Sequence, residues 1–309
     1  MTEPPTPSPA GNNGLAAGSV LLAATLFGTT GTALALGPEN VSAISAGTLR
    51  LLIGGLGLIA LAAMTGSALA SVRSSKVAIG FGAVAVASYQ LCFFYATTST
   101  GVALATVVTI GSSPLAARGI GALRRRPSPG NWWLVAAGLL LSGLILLVVG
   151  SGGNADFSLV GIAAALIAGI SYAAYTECGS ISLIAGASPT ATMATMFFLA
   201  GVIASPLLFT QDLSWLGEGS GVTMIVYLSL VTLSLAYVWF GWGLQHLPPT
   251  SVVMLTMFEP VVAAILAILI LDETLGLLSW TGIGVVIIGL MVVGRDSRQP
   301  VTEPTTVAT

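Results

Sequence analysis

The sequence predicts an all-α membrane protein of ten transmembrane helices in two inverted five-helix repeats. Three observations lead there. The 309 residues are 55% hydrophobic and 6% charged, whereas a soluble domain carries about 25% charged residues. The apolar residues fall in stretches of about 20, the length of a helix that crosses a bilayer core. A membrane barrel would instead show alternating segments of about 10. Finally, the second half repeats the first: a shift of 146 residues takes Ser88 to Ser234, Phe94 to Phe240, Pro114 to Pro260, Gly138 to Gly284 and Gly143 to Gly289. An odd number of helices per repeat makes the second insert upside down.

In chain order, residues 1–14 are rich in Pro and Thr and read as a disordered tail. The tail lacks Lys and Arg, so it does not resemble the basic start of a cleavable signal peptide. The first repeat, 15–150, holds spans at Leu15–Leu36, Val41–Met64, Val77–Thr98, Val102–Leu123 and Trp132–Gly150. The second, 159–294, holds spans at Leu159–Gly179, Thr190–Phe209, Val222–Leu244, Thr250–Leu271 and Leu278–Gly294. Residues 295–309 form a closing tail. The connections are too short for a separate soluble domain.

The positive-inside rule sets the orientation. With the N-terminus inside, eight of the nine basic residues fall on the cytoplasmic side: Arg73, Lys76, Arg118, Arg124–Arg126, Arg295 and Arg298. The acids Glu39, Asp156, Asp212, Glu218, Asp272 and Glu273 fall outside. Both tails are then cytoplasmic, and the expected location is the plasma membrane. The Arg124–Arg126 run reads as topological retention and lipid contact. Trp132, Trp133, Trp215 and Trp280 lie at span ends, where interfacial anchors sit.

Two charges lie at mid-depth. Glu259 is about ten residues into the ninth span, roughly 15 Å deep at 1.5 Å per residue. An ionisable side chain there costs about 2.5–3.5 kcal/mol and faces a bundle interior or pathway. Pro260 follows it and bends the helix, as Pro114 does in the fourth span. Arg50 reaches a similar depth in the second span. The competing reading is a static Arg50–Glu259 clamp. Glu177, near the cytoplasmic end of the sixth span, reads as wetted, and His246 reads as a solvated loop residue.

Tyr172, Tyr175 and Thr176 share one face of the sixth span. Tyr89 and Phe93 are four apart, and Ser234 and Tyr237 are three apart. Thr29, Thr30 and Thr32 in the first span, with Thr106, Thr109, Ser112 and Ser113 in the fourth, add hydroxyls. These faces suit a mildly polar cavity, or plain helix packing, where small and hydroxylated residues are common.

The net charge of −2 excludes a nucleic-acid footprint. Cys92 and Cys178 form neither a disulfide framework nor a metal cluster. No cofactor is expected. GIGVVIIG and GGLG are not nucleotide loops, because no strand precedes them. Inverted repeats with midplane charges are the plan of secondary transporters, with the substrate site between the halves. A non-transporting scaffold or receptor and an intramembrane enzyme are the alternatives. The enzyme lacks a nucleophile with its base.

EPVVAAILAILILDE followed by WTGIGVVIIGLMVVG resembles the drug/metabolite transporter superfamily, and within it the EamA family. Glu259–Val261, Asp272–Glu273, Gly282–Gly294, Arg50 and Phe27–Gly28 carry the resemblance. The chain departs from that pattern where the fourth span ends in Arg124–Arg126 rather than an acid. The resemblance implies a secondary carrier, commonly an exporter of amino acids, related metabolites or drugs. The expected partners are a small-molecule substrate, the bilayer and, as a candidate coupling ion, the proton, with the chain a monomer or homodimer. The residues expected to bind are Glu259, for an amine or a proton; Arg50, for a carboxylate or for Glu259; and Tyr89, Thr109, Tyr172 and Tyr237. Pro114 and Pro260 are the expected gating bends.

Overall fold

In a computed structural model of the chain, residues 11–127, 130, 132–151, 158–272 and 274–296 are described. The tail residues 1–10 and 297–309, with Asp156 and Glu273, lie outside these. Among the described residues the secondary structure is helical, with no strand.

The first four helices are α1 (Gly11–Ala35), α2 (Ala43–Met64), α3 (Lys76–Thr100) and α4 (Val102–Leu123). Helix α1 begins four residues before the expected Leu15, so Gly11–Gly14 is helix rather than tail. Ser42 caps α2 by accepting the Ser45 N–H at 3.0 Å. Helices α3 and α4 are joined by Gly101 alone, at φ +81°. Only a glycine takes that conformation without strain, so the reversal needs no loop. Next come α5 (Trp132–Gly150), α6 (Leu159–Ile184) and α7 (Pro189–Ala204). Ser158 and Ser188 cap α6 and α7 through their hydroxyls, each at 3.2 Å. Pro189 takes the first helical turn of α7, where no N–H is missed.

The eighth and ninth spans are less regular. The eighth is α8 (Gly219–Ser229), a π-turn at Leu230–Leu235, and α9 (Ala236–His246). The ninth is α10 (Pro249–Leu255), a 3-10 turn at Thr256–Phe258, and α11 (Glu259–Leu271). Helix α11 stops at Asp272, which turns left-handed at φ +53°. Then α12 (Leu277–Asp296) closes the bundle. The ninth span changes from a 3-10 turn to α-helix at Glu259, one residue before Pro260. Helix α4 remains one α-helix across Pro114. Among the described residues nine spans are long and apolar enough to cross a membrane, and α4 has a comparable 22 residues.

Helix α2 packs on α7 and α5 on α12, while α6 packs on α3 and α4, and α1 on α9 and α11. Some close helix approaches use glycines from matched positions. A Cβ on Gly55 would lie 2.6 Å from Phe198 Cα, and one on Gly201 would lie 2.8 Å from Leu52 N. A Cβ on Gly143 would meet Val286 N at 2.7 Å, and one on Gly289 would meet Leu140 Cγ at 2.9 Å. The 146-residue shift converts each contact into its counterpart.

Two expected anchors are not at the surface. Trp133 and Trp215 are 3% and 0% exposed. The Arg118 guanidinium covers the Trp133 ring at 4.8 Å, and Trp215 is enclosed by Met224, Ile225 and Leu228. Trp132 and Trp280 are exposed. His246 is not in a loop. It ends α9, half-buried, with Nδ1 2.8 Å from the Trp242 carbonyl.

A candidate binding cavity

The ends of the bundle differ. At one, called here the Gly101 end, the α3–α4 reversal, the C-terminus of α5 and the start of α12 come together. At the other, the Arg124 end, α4 and α6 finish and α7 begins. A cavity of about 520 Å³ lies in the half toward the Gly101 end, within the usual range for small-molecule sites. Its lining rises from Tyr172, Tyr237 and Thr256 at mid-span to Leu34, Val102, Ser151 and Leu275 at that end.

All six residues expected to bind line this one cavity: Arg50, Tyr89, Thr109, Tyr172, Tyr237 and Glu259. Pro260 lines it too, and Pro114 does not. Sequence spacing could not bring them together. Packing does so, because α2, α3, α4, α6, the eighth span and the ninth span converge at mid-depth.

Glu259 is half-buried at the first position of α11. Among the described residues no hydrogen bond or ion pair reaches its carboxyl. An Arg50–Glu259 ion pair is therefore not what holds this region. Arg50 is committed elsewhere: its Nη2 donates to the Thr232 carbonyl at 2.8 Å and its Nε to the Leu228 carbonyl at 3.3 Å. The π-turn explains this. A π-turn shifts the helical ladder by one residue and disturbs its i→i−4 pairing. Arg50 supplies donors to one carbonyl just before the π-turn and one within it. Ser234 adds to the same joint, its single hydroxyl proton shared between the Gly54 carbonyl at 2.8 Å and the Ser229 carbonyl at 3.0 Å.

The walls are aromatic. Tyr89 stacks on Phe93 at 6.0 Å and lies 5.7 Å from Tyr172, and Phe27 lies 5.1 Å from Tyr237. Toward the Arg124 end the floor is Tyr175, Phe197, Tyr237 and Phe240. Two hydroxyl pairs tie this floor across the bundle. Tyr172 and Thr256 are 2.6 Å apart, and Tyr175 and Tyr237 are 2.9 Å apart. The Thr109 hydroxyl is spent on the Ala165 carbonyl at 3.1 Å, locking α4 to α6. Ser113 turns back to the Ile110 carbonyl, and Thr29 accepts from Tyr227 outside the cavity. Thr30 and Thr106 do line it.

Sequence reading missed Gln90, which lines the cavity at 7% exposure with no hydrogen bond to its amide among the described residues. A polar residue one position after Tyr89 in an apolar span was the available signal. It also misread Glu177, which is not wetted: its side chain is 5% exposed. Arg124 and Arg126 close over it at 2.5 and 2.9 Å, and Arg126 also donates to the Ser180 hydroxyl at 3.1 Å. The arginine run thus has a partner within the protein besides any lipid.

The chain is 35% identical to the uncharacterized transporter YwfM of Bacillus subtilis, over 92% of this chain and 95% of that one. It is 26% identical to the uncharacterized inner membrane transporter YicL of Salmonella typhimurium, over 91% and 95% of the two. A protein of known crystal structure superposes with a TM-score of 0.78 over 93% of this chain and 99% of its own, at 17% identity, which is a likeness of fold. The model of the EamA-like transporter family matches twice, at residues 14–149 and 159–295. With both halves matched and the apolar spans gathered around one cavity, the chain belongs to the EamA-like transporter family.

Proposed function

We propose that this chain is a secondary transporter of small amphipathic solutes, such as amino acids, amines or drug-like molecules, across the cytoplasmic membrane. It works by alternating access and runs as an exporter with both termini in the cytoplasm. The observation that carries the reading is the cavity itself. It is walled by both halves, contains at mid-span a carboxyl with no hydrogen bond or ion pair among the described residues, and reaches one end of the bundle while the other is closed by aromatic rings and an ion cluster.

The two halves act as inverted copies. The reciprocal contacts of Gly55 with Gly201 and of Gly143 with Gly289 support this, since a twofold exchange of halves turns each into the other. Helix α2 starts at the Gly101 end and α7 at the Arg124 end, as inversion requires. Such a pair of halves has a second packing, in which the Arg124 end opens and the Gly101 end closes. Substrate binds at Glu259 against Tyr89, Tyr172 and Tyr237. Glu259 also offers a site for a coupling proton.

The test is flux in reconstituted vesicles. Glu259→Gln is expected to abolish or uncouple transport while the protein still inserts and folds. An equal loss of folded protein would instead make Glu259 a structural residue.

A further inference from the structure

We infer that the cavity selects an ammonium group on an apolar, aromatic-sized body, and that a substrate carboxylate adds nothing to the grip. The inference rests on the reading of this cavity as the transport site and names the class of solute it takes.

Among the described residues the lining contains two charged side chains, Glu259 and Arg50. They are not equivalent. No hydrogen bond or ion pair reaches the Glu259 carboxyl among the described residues, so its lone pairs remain for a ligand. Arg50 already donates Nε and Nη2 to the Leu228 and Thr232 carbonyls. Those two nitrogens form one side of the guanidinium fork, a side that grips a carboxylate bidentately. A substrate carboxylate would have to leave water for the remaining donors of a group already bound to main chain, and burying such a charge is costly without full pairing.

The neutral groups suit a cation. The buried Gln90 amide and the Tyr89 hydroxyl line the cavity without hydrogen-bond partners among the described residues. Each has an oxygen that accepts an N–H. The rings of Phe27, Tyr89, Phe93, Tyr172 and Tyr237 line the cavity, and aromatic rings attract a cation electrostatically and cover an apolar body. An anionic solute would meet the same faces and Glu259 with the wrong sign.

The experiment uses the full chain in lipid nanodiscs and three probes with one phenyl body: 2-phenylethylamine, phenylalanine and 3-phenylpropanoate. Calorimetry is expected to show the amine binding at least about tenfold tighter than the amino acid, and the acid not binding. Glu259→Gln should weaken the amine about tenfold or more. Should that variant not fold, Glu259→Asp, which keeps the charge on a shorter arm, should still bind amine above amino acid. Phenylalanine binding as tightly as the amine, and losing affinity in Arg50→Lys, would make Arg50 a carboxylate site and overturn the inference. Unchanged amine affinity in folded Glu259→Gln would overturn it as well. If none of the probes bound the folded wild-type protein, the transport reading of the cavity would fail along with it.

Discussion

Glu177 Oε1 lies 2.5 Å from Arg124 Nη1 and 2.9 Å from Arg126 Nη2, at the end of the bundle opposite the cavity mouth. The three side chains are unequally buried: 5% exposure for Glu177 against 38% and 26% for the arginines. This asymmetry makes a prediction. Glu177→Gln frees two arginines that can turn to water, which should cost about 1 kcal/mol of stability. Arg124→Ala with Arg126→Ala strands a buried carboxylate and should cost about 3 kcal/mol. Thermal unfolding in detergent measures both, and equal costs would mean that Glu177 is not sealed from water.

Arg50 holds the π-turn through two main-chain carbonyls, so its loss should be felt without any ligand. Hydrogen bonds from a charged donor are worth about 1.5–3 kcal/mol each. Arg50→Met is expected to lower the unfolding temperature of the ligand-free protein. Arg50→Lys should recover only part of the loss, because an ammonium cannot reproduce the planar fork. A ligand-free stability equal to wild type in both variants would refute this account of Arg50.

Glycine positions supply an internally controlled test. A methyl on Gly143 or Gly201 would press on backbone atoms at 2.7 to 2.8 Å, which no side-chain rotation relieves. A methyl on Gly138 or Gly284 would have nothing within 4 Å. Gly143→Ala and Gly201→Ala should therefore destabilise by about 1–3 kcal/mol. Gly138→Ala and Gly284→Ala should be neutral or slightly stabilising, since alanine favours helix. Fluorescence-detected size exclusion after a heating series reads all four.

The Tyr172–Thr256 hydroxyl pair joins α6 to the 3-10 turn just before Glu259. Tyr172→Phe and Thr256→Val should each cost about 1 kcal/mol. Their double variant should cost less than the sum, because both remove one interaction. The matching cycle of Tyr175→Phe and Tyr237→Phe tests the second tie across the floor. Strict additivity in either cycle would show that the pair is not coupled.

The sequence by itself determined the membrane class, the spans and the duplicated plan, because bilayer thickness and the cost of exposed backbone in lipid leave few solutions for a chain this apolar. It also pointed to Glu259, since an acid beside a proline in an apolar span has no inexpensive role. Tertiary structure alone decided which groups Arg50, Glu177 and the arginine run meet. Arg50 answers carbonyls disturbed by a π-turn in a distant span, and nothing in local composition announces that turn. Glu177 lies 53 residues from Arg124 and looks solvated on its own helix, until the turn after α4 lays two guanidinium groups over it. Likewise the hydroxyls of Thr109 and Tyr172 are spent on neighbours, while the Gln90 amide is left for the cavity. Apolar burial follows from composition, but the partner of a polar group depends on which helices the packing brings within 3 Å.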